Sequence, residues 1–207
     1  NVYLLLIIDA FTKFIQLIPV KSTKSVHSIK AIKQYFHTFS VPTRLISDRG
    51  TSFTSKCFQD YLRSLGVKHI LNAVATPRAN GQVERYNRTI LAALTATNHG
   101  KPENMWDEHV SEIQWGLNNT TNKGTGKSPA EALFGMKLVG TPDALLQLNI
   151  SDNEEINKDI ENVRNEITKK ITADQAKQKE RFDKGRKCVK YNVGDLVRVE
   201  REIPSTG

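Results

Sequence analysis

Leu45-Ile46-Ser47-Asp48-Arg49-Gly50-Thr51-Ser52-Phe53 and Ala75-Thr76-Pro77-Arg78-Ala79-Asn80-Gly81-Gln82-Val83-Glu84-Arg85-Tyr86-Asn87-Arg88 are the two phrases on which the reading of this chain turns. The first closes a short apolar run on Asp-Arg-Gly, so Asp48 stands where a strand breaks into a turn. The second sets Asn80-Gly81 ahead of a helical run, which puts Glu84 near a helix start. Thirty-five residues separate the two acids. That spacing alone proves little in a chain with 22 acids; the contexts carry the weight. A carboxylate at a strand end and another in a first helical turn can jointly hold a hard cation such as Mg²⁺. The plain alternative is two ordinary solvated acids.

Working outward, Val2–Ile8 is a continuous apolar run, as in a strand buried on both faces. Asp9–Lys13 reads as a turn and Phe14–Val20 as a second strand, making a hairpin. Val26, Ile29, Ile32, Phe36 and Phe39 recur at three- and four-residue steps and predict a helix. Arg44–Ser47 is the short strand that delivers Asp48. Phe58, Tyr61, Leu62 and Leu65 line another helix, stopped by Gly66. Val67–Leu71 is a strand, Gly81–Thr97 the helix of Glu84, and Met105–Asn119 a helix with Trp106, Val110, Ile113 and Leu117 on one face. Ser128-Pro129-Ala130-Glu131 has the form of a capping box, with Gly135 as its stop. Ser151-Asp152-Asn153-Glu154 has the same form. It opens a long helix with Ile156, Ile160, Val163, Ile167 and Ile171 on one stripe, packed on the core or on a second subunit. The element order predicts an α/β fold, a mixed sheet flanked by helices.

At 207 residues the chain holds one sizeable core and an appendage. A net charge of +8 favours a polyanionic partner. The excess is uneven: residues 177–201 hold nine Lys or Arg against four acids, whereas residues 151–166 hold six acids and two bases. No apolar run reaches bilayer length, so no membrane partner is expected. Cys57 and Cys188 are too few for a disulfide framework, which points to a reducing compartment. The five His and two Cys show no paired zinc spacing.

The phrases around Asp48 and Glu84 resemble the integrase catalytic core of retroviruses and gypsy-class LTR retrotransposons, and the resemblance runs from Asn1 to about Gly140. It implies an RNase H-like sheet and a DNA-joining enzyme, a polynucleotidyl transferase and endonuclease. Such an enzyme trims element DNA ends and joins them to target DNA by two-metal phosphoryl transfer. Three acids, Asp, Asp and Glu, bind Mg²⁺ (or Mn²⁺) in that family, and Asp48 and Glu84 match the last two. The first acid is expected one strand upstream of Asp9, in a phrase like "WHxDxxGPL" that this sequence lacks. Asp9 then reads as a turn residue, the first and central strand as missing, and the chain as a fragment inactive by itself. Arg78, Asn80, Gln82, Arg85, Asn87 and Arg88 become candidate DNA contacts, with element-end and target DNA and further copies of the chain as partners. Asn80 and Gly81 would let the loop before the helix flex around a DNA end. An i,i+4 pair between Glu84 and Arg88 is the plainer reading of that helix. Tyr86 reads as core, and Asn118 and Asn119 as structural. Arg49 is open between phosphate contact and a surface role, as is the Lys184–Lys190 run.

The implied organisation is an N-terminally truncated catalytic core over 1–140, a linker with the long helix over 141–185, and the start of a C-terminal DNA-binding barrel over 186–207. The barrel would begin with a strand at Tyr191–Val199. The nucleus is the implied site of action. The competing reading is a non-catalytic, element-derived DNA-binding or assembly protein. A ribonuclease of the same fold explains less, because it leaves the phrase around Glu84 without a purpose.

Overall fold

The computed structural model describes residues 2–72, 77–100, 102–136, 138, 160–184, 194 and 196, with the backbone alone for 77–82, 103 and 104. The expected capping box at Ser151–Glu154 lies outside them, as do the run after Lys184 and, apart from Gly194 and Leu196, the strand at Tyr191–Val199.

Strand β1 (Tyr3–Ile8) pairs antiparallel with β2 (Ile15–Val20), Tyr3 opposite Val20 and Ile8 opposite Ile15. Asp9 builds the turn between them. Its N–H donates to the Phe14 carbonyl (2.9 Å) and its carbonyl accepts from the Lys13 N–H (3.0 Å). Lys13 takes the left-handed conformation, φ 66°, a strained choice for a residue with a Cβ. Helix α1 (Ser25–Phe39) buries Ser28, Ala31, Ile32 and Phe36, while Val26 is 67% exposed. Val26 stands six residues before Ile32, about 120° around the helix, so it cannot share the inward stripe predicted for it.

Strand β3 (Arg44–Ser47) runs parallel to β4 (Lys68–Leu71), Arg44 opposite Lys68 and Ser47 opposite Leu71. The crossover needed between parallel strands is made by α2 (Thr51–Thr54) and α3 (Lys56–Ser64). Ser55 caps α3 by accepting the Phe58 N–H. Gly66 ends the unit at φ 70°, where a Cβ would be strained.

Helix α4 (Pro77–Thr97) begins four residues before the expected Gly81, so Asn80 and Gly81 lie inside it rather than in a flexible loop. Proline suits a first helical position because its missing N–H would be unpaired there anyway. Glu84 therefore sits two turns in, not in the first turn. The helix predicted over Met105–Asn119 is a 3-10 segment (Glu103–His109) running into α5 (Val110–Asn119). An apolar spacing of three and four over one turn does not separate 3.0 from 3.6 residues per turn. Helix α6 (Pro129–Phe134) carries the predicted capping box. The Glu131 N–H donates to Ser128 Oγ and the Ser128 N–H to Glu131 Oε2 (2.9 Å), and Gly135 closes the helix at φ 78°. Helix α7 (Ile160–Lys184) is the last described element. No described helix is long and apolar enough to cross a membrane.

Strand β1 faces two apolar clusters, as a strand buried on both sides should. Leu4, Leu6 and Ile8 pack with Ile15, Leu17, Ile90, Val110 and Ile113, the cluster under α4 and α5. Leu5 and Ile7 pack with Ile32, Phe36, Phe58, Leu62 and Val67, the cluster under α1 and α3. A third cluster joins α7 to α6 through Ala132, Val163 and Ile167, flanked by Ile171.

The sheet is divided. Strands β1 and β2 form one two-stranded sheet and β3 and β4 another, with no ladder between the pairs among the described residues. Leu45 packs against the second cluster, yet Ile46 on the other face of β3 is 59% exposed.

Candidate active site

Asp48 follows the last residue of β3 and is exposed. Its Oδ1 accepts the Gly50 N–H (2.9 Å), which turns the chain directly after the strand. Ser47 Oγ donates to the Asp48 carbonyl (2.8 Å). A hydroxyl has one proton to give, so Ser47 Oγ accepts from His69 Nε2 (2.9 Å). His69 rests on the Phe58 ring, and burial holds its imidazole below its ordinary pKa. Arg49 Nε donates to the Asn72 carbonyl (3.0 Å), tying the end of β3 to the end of β4.

Helix α4 divides cleanly between its two sides. Tyr86, Ile90, Ala93 and Leu94 face the first cluster. Glu84, Asn87, Arg88 and Leu91 share an exposed face about 125° further around the helix, with Leu91 66% exposed. No ion pair joins Glu84 to Arg88 among the described residues, so the plain i,i+4 pairing is not made. Arg85 is exposed beside this face. Arg78, Asn80 and Gln82 belong to the first turns of α4, and their side chains lie outside the described residues. Tyr86 has the core role expected of it: it is half-buried, and its hydroxyl accepts from Asn122 Nδ2 (2.7 Å). Of the two tryptophans, Trp106 packs into the first cluster and Trp115 is 43% exposed.

Asp9 is engaged elsewhere. Its Oδ1 accepts from the Phe11 N–H (3.2 Å), the Thr12 N–H (2.7 Å) and Thr12 Oγ1 (2.6 Å), which pins the β1–β2 turn.

The chemistry of the donors fits a divalent cation: exposed carboxylates at a strand end and on a helix are the oxygen ligands a hard ion takes. Among the described residues, however, no three His, Cys, Asp or Glu side chains are grouped to hold a metal. The Asp48–Glu84 pair is at most part of a site.

Positioning groups invisible to local sequence reading come from α5. Buried Asn118 takes the place of a neighbouring strand for β2, accepting the Ile15 N–H (2.8 Å) and donating to the Ile15 carbonyl (2.8 Å). Gln114 accepts the Leu17 N–H (2.7 Å). Together they satisfy the outer edge of β2. The structural role expected of Asn118 is thus specific, and Asn119 accepts the Leu138 N–H (2.9 Å).

Comparison with known proteins follows the same lines. Residues 1–77 match the family model described as "Integrase core domain". The Pro-Pol polyprotein of Simian foamy virus type 1 is 30% identical over 155 residues, covering 74% of this chain and 13% of the polyprotein. The chain thus spans about an eighth of that relative's length. Among solved structures, the HTLV-2 integrase catalytic core domain in complex with magnesium superposes with a TM-score of 0.52 at 25% identity, over 62% of this chain and 82% of that one. A chain of the simian T-cell lymphotropic virus intasome superposes with a TM-score of 0.54 at 22% identity, over 66% of this chain and 50% of that one, a likeness of fold. The hairpin and the Asp48 turn therefore lie in the stretch that matches an integrase core domain, and the fold is the RNase H-like one of retroviral integrase catalytic cores.

Proposed function

We propose that this chain is the catalytic-core portion of a retroelement integrase, which trims element DNA ends and joins them to target DNA. The carrying observation is the exposed face of α4, where Glu84, Asn87 and Arg88 stand together in a chain whose other acid of matching context, Asp48, ends β3. Asp48 and Glu84 would hold Mg²⁺ or Mn²⁺. Two such ions supply charge stabilisation to the attacking and leaving oxygens of an in-line displacement. Arg88 and Asn87, one turn from Glu84, orient the scissile phosphate, and Arg78, Asn80, Gln82 and Arg85 hold the DNA backbone around it. Gly50 and the His69–Ser47 pair keep the Asp48 carboxylate and its backbone in place. The partners are element-end DNA, target DNA and further copies of the chain, acting in the nucleus.

Two carboxylates do not easily hold two ions at the spacing of about 3.5–4 Å that this chemistry uses. The third would arrive on a further strand between β1 and β3, which no ladder joins among the described residues. The chain by itself is therefore expected to join no DNA ends with Mg²⁺ supplied. With that strand and its Asp fused ahead of β1, joining of labelled DNA ends should appear. In that protein Asp48→Asn should abolish joining and Asp9→Asn should reduce it far less. Equal loss in both variants, with the fold intact, would make Asp9 the third ligand.

A second reading rests on the phrase of the first Asp, which this sequence lacks: a non-catalytic, element-derived DNA-binding or assembly module. Joining activity in the strand-restored protein decides between the two.

A further inference from the structure

A trough of about 1340 Å³ opens between α4, the loop after α5 and α7. It exceeds the range of roughly 300–1000 Å³ in which small-molecule sites fall. Among the described lining residues basic groups predominate: Lys13 (whose Nζ also donates to the Ala10 carbonyl), Arg85, Lys123, Lys179 and Arg181 stand with one acid, Asp174. The five cations come from four separate segments: the β1–β2 turn, α4, the loop after α5, and α7. Five cations around a trough of this volume are more than one small anion needs. Such a spread suits a linear polyanion with charges at regular intervals.

The position of the trough matters as much as its charge. Arg85 and Thr89, four residues apart, form its α4 wall. The adjacent row on the same helix is Glu84 and Arg88, also four apart and exposed. Rows at neighbouring positions stand about 100° apart around a helix, so the trough begins where the carboxylate face ends.

We propose that this trough holds the phosphodiester backbone of a DNA strand that continues from the Glu84 face across to α7, a second DNA-contact surface distinct from the carboxylate row. This rests on the reading of the chain as a DNA-joining core. It gives α7, otherwise only a helix docked on α6, a direct part in substrate binding. Neutralised phosphates make affinity fall with salt, each steepening the slope by about 0.7 for single strands and 0.9 for duplex.

The test uses the full chain, a fluorescently labelled 20-nucleotide DNA in single-stranded and duplex form, and binding measured across a KCl series. Lys123 and Lys179 are exposed, so replacing them leaves the core untouched. Lys123→Ala/Lys179→Ala should flatten the slope of log affinity against log salt by about 1.4–1.8, and Lys123→Arg/Lys179→Arg should restore it. An unchanged slope in the Ala pair, with Arg88→Ala still flattening it, overturns the trough and leaves the integrase reading standing. No DNA binding by the wild type at any salt overturns both. Polyglutamate of matched charge that displaces DNA from the wild type as effectively as unlabelled DNA would make the trough an acidic-peptide groove and overturn the assignment.

Discussion

A Cβ placed on Gly50 would lie 3.0 Å from Asp48 Oδ1, closer than the neighbouring carboxylate tolerates without shifting. Gly50 therefore matters for the room it leaves, since its φ of −55° is open to any residue. Gly50→Ala should keep the fold, with a thermal midpoint within a few degrees of wild type. It should turn the Asp48 carboxylate and weaken Mn²⁺ binding about tenfold, the lower end of what losing a ligand's support costs. Isothermal titration and a thermal melt check the two halves. Arg88 is the other residue with a distinct expectation: Arg88→Ala should reduce the salt slope of duplex binding by about 0.9 if it meets one phosphate. An unchanged slope returns it to the plain surface. At this scale the sequence was readable in placement, with Asp48 after a strand and Glu84 on a helix. His69 and Gln114 were not, because their partners Ser47 and Leu17 lie 22 and 97 residues away.

Among the elements, α5 does two jobs, and only one was visible in its periodicity. The stripe of Val110, Ile113 and Leu117 predicts burial. That Asn118 would stand in for a missing neighbour of β2 depends on a fold in which that edge meets α5. Asn118→Ala leaves the Ile15 N–H and carbonyl without partners in the core, and should lower unfolding free energy by about 2–4 kcal/mol. Chemical denaturation reads this as a lower midpoint at an unchanged slope. Helix α7 is held differently. Only Val163 and Ile167 are buried along it, so Ile167→Ala should act locally and release α7 from α6. Faster amide exchange confined to α6 and α7 is expected, whereas a global loss of protection would show that α7 belongs to the main core. The start of α4 was misplaced by four residues because Asn80-Gly81 has the composition of a turn. Tertiary packing of Tyr86 and Ile90 carries the helix through it.

Taken as a whole molecule, the chain is two half-sheets packed with helices. The layers were readable from hydrophobic runs: an unbroken apolar β1 demanded cover on both faces, and it has two clusters. The division of the sheet among the described residues was not readable from pattern, since each strand looks complete by itself. Ile46 is exposed on β3, beside the acid that ends the strand. The central claim is that Asp48 and Glu84 serve one divalent-metal site. The most direct measurement is anomalous diffraction from crystals of the strand-restored protein soaked in Mn²⁺. The account predicts Mn²⁺ peaks with oxygens of Asp48 and Glu84 at about 2.0–2.3 Å, the contact range of such hard ions. Ordered Asp48 and Glu84 carboxylates more than about 10 Å apart, with Mn²⁺ bound elsewhere, would contradict it, since metals of a shared site sit only about 4 Å from each other.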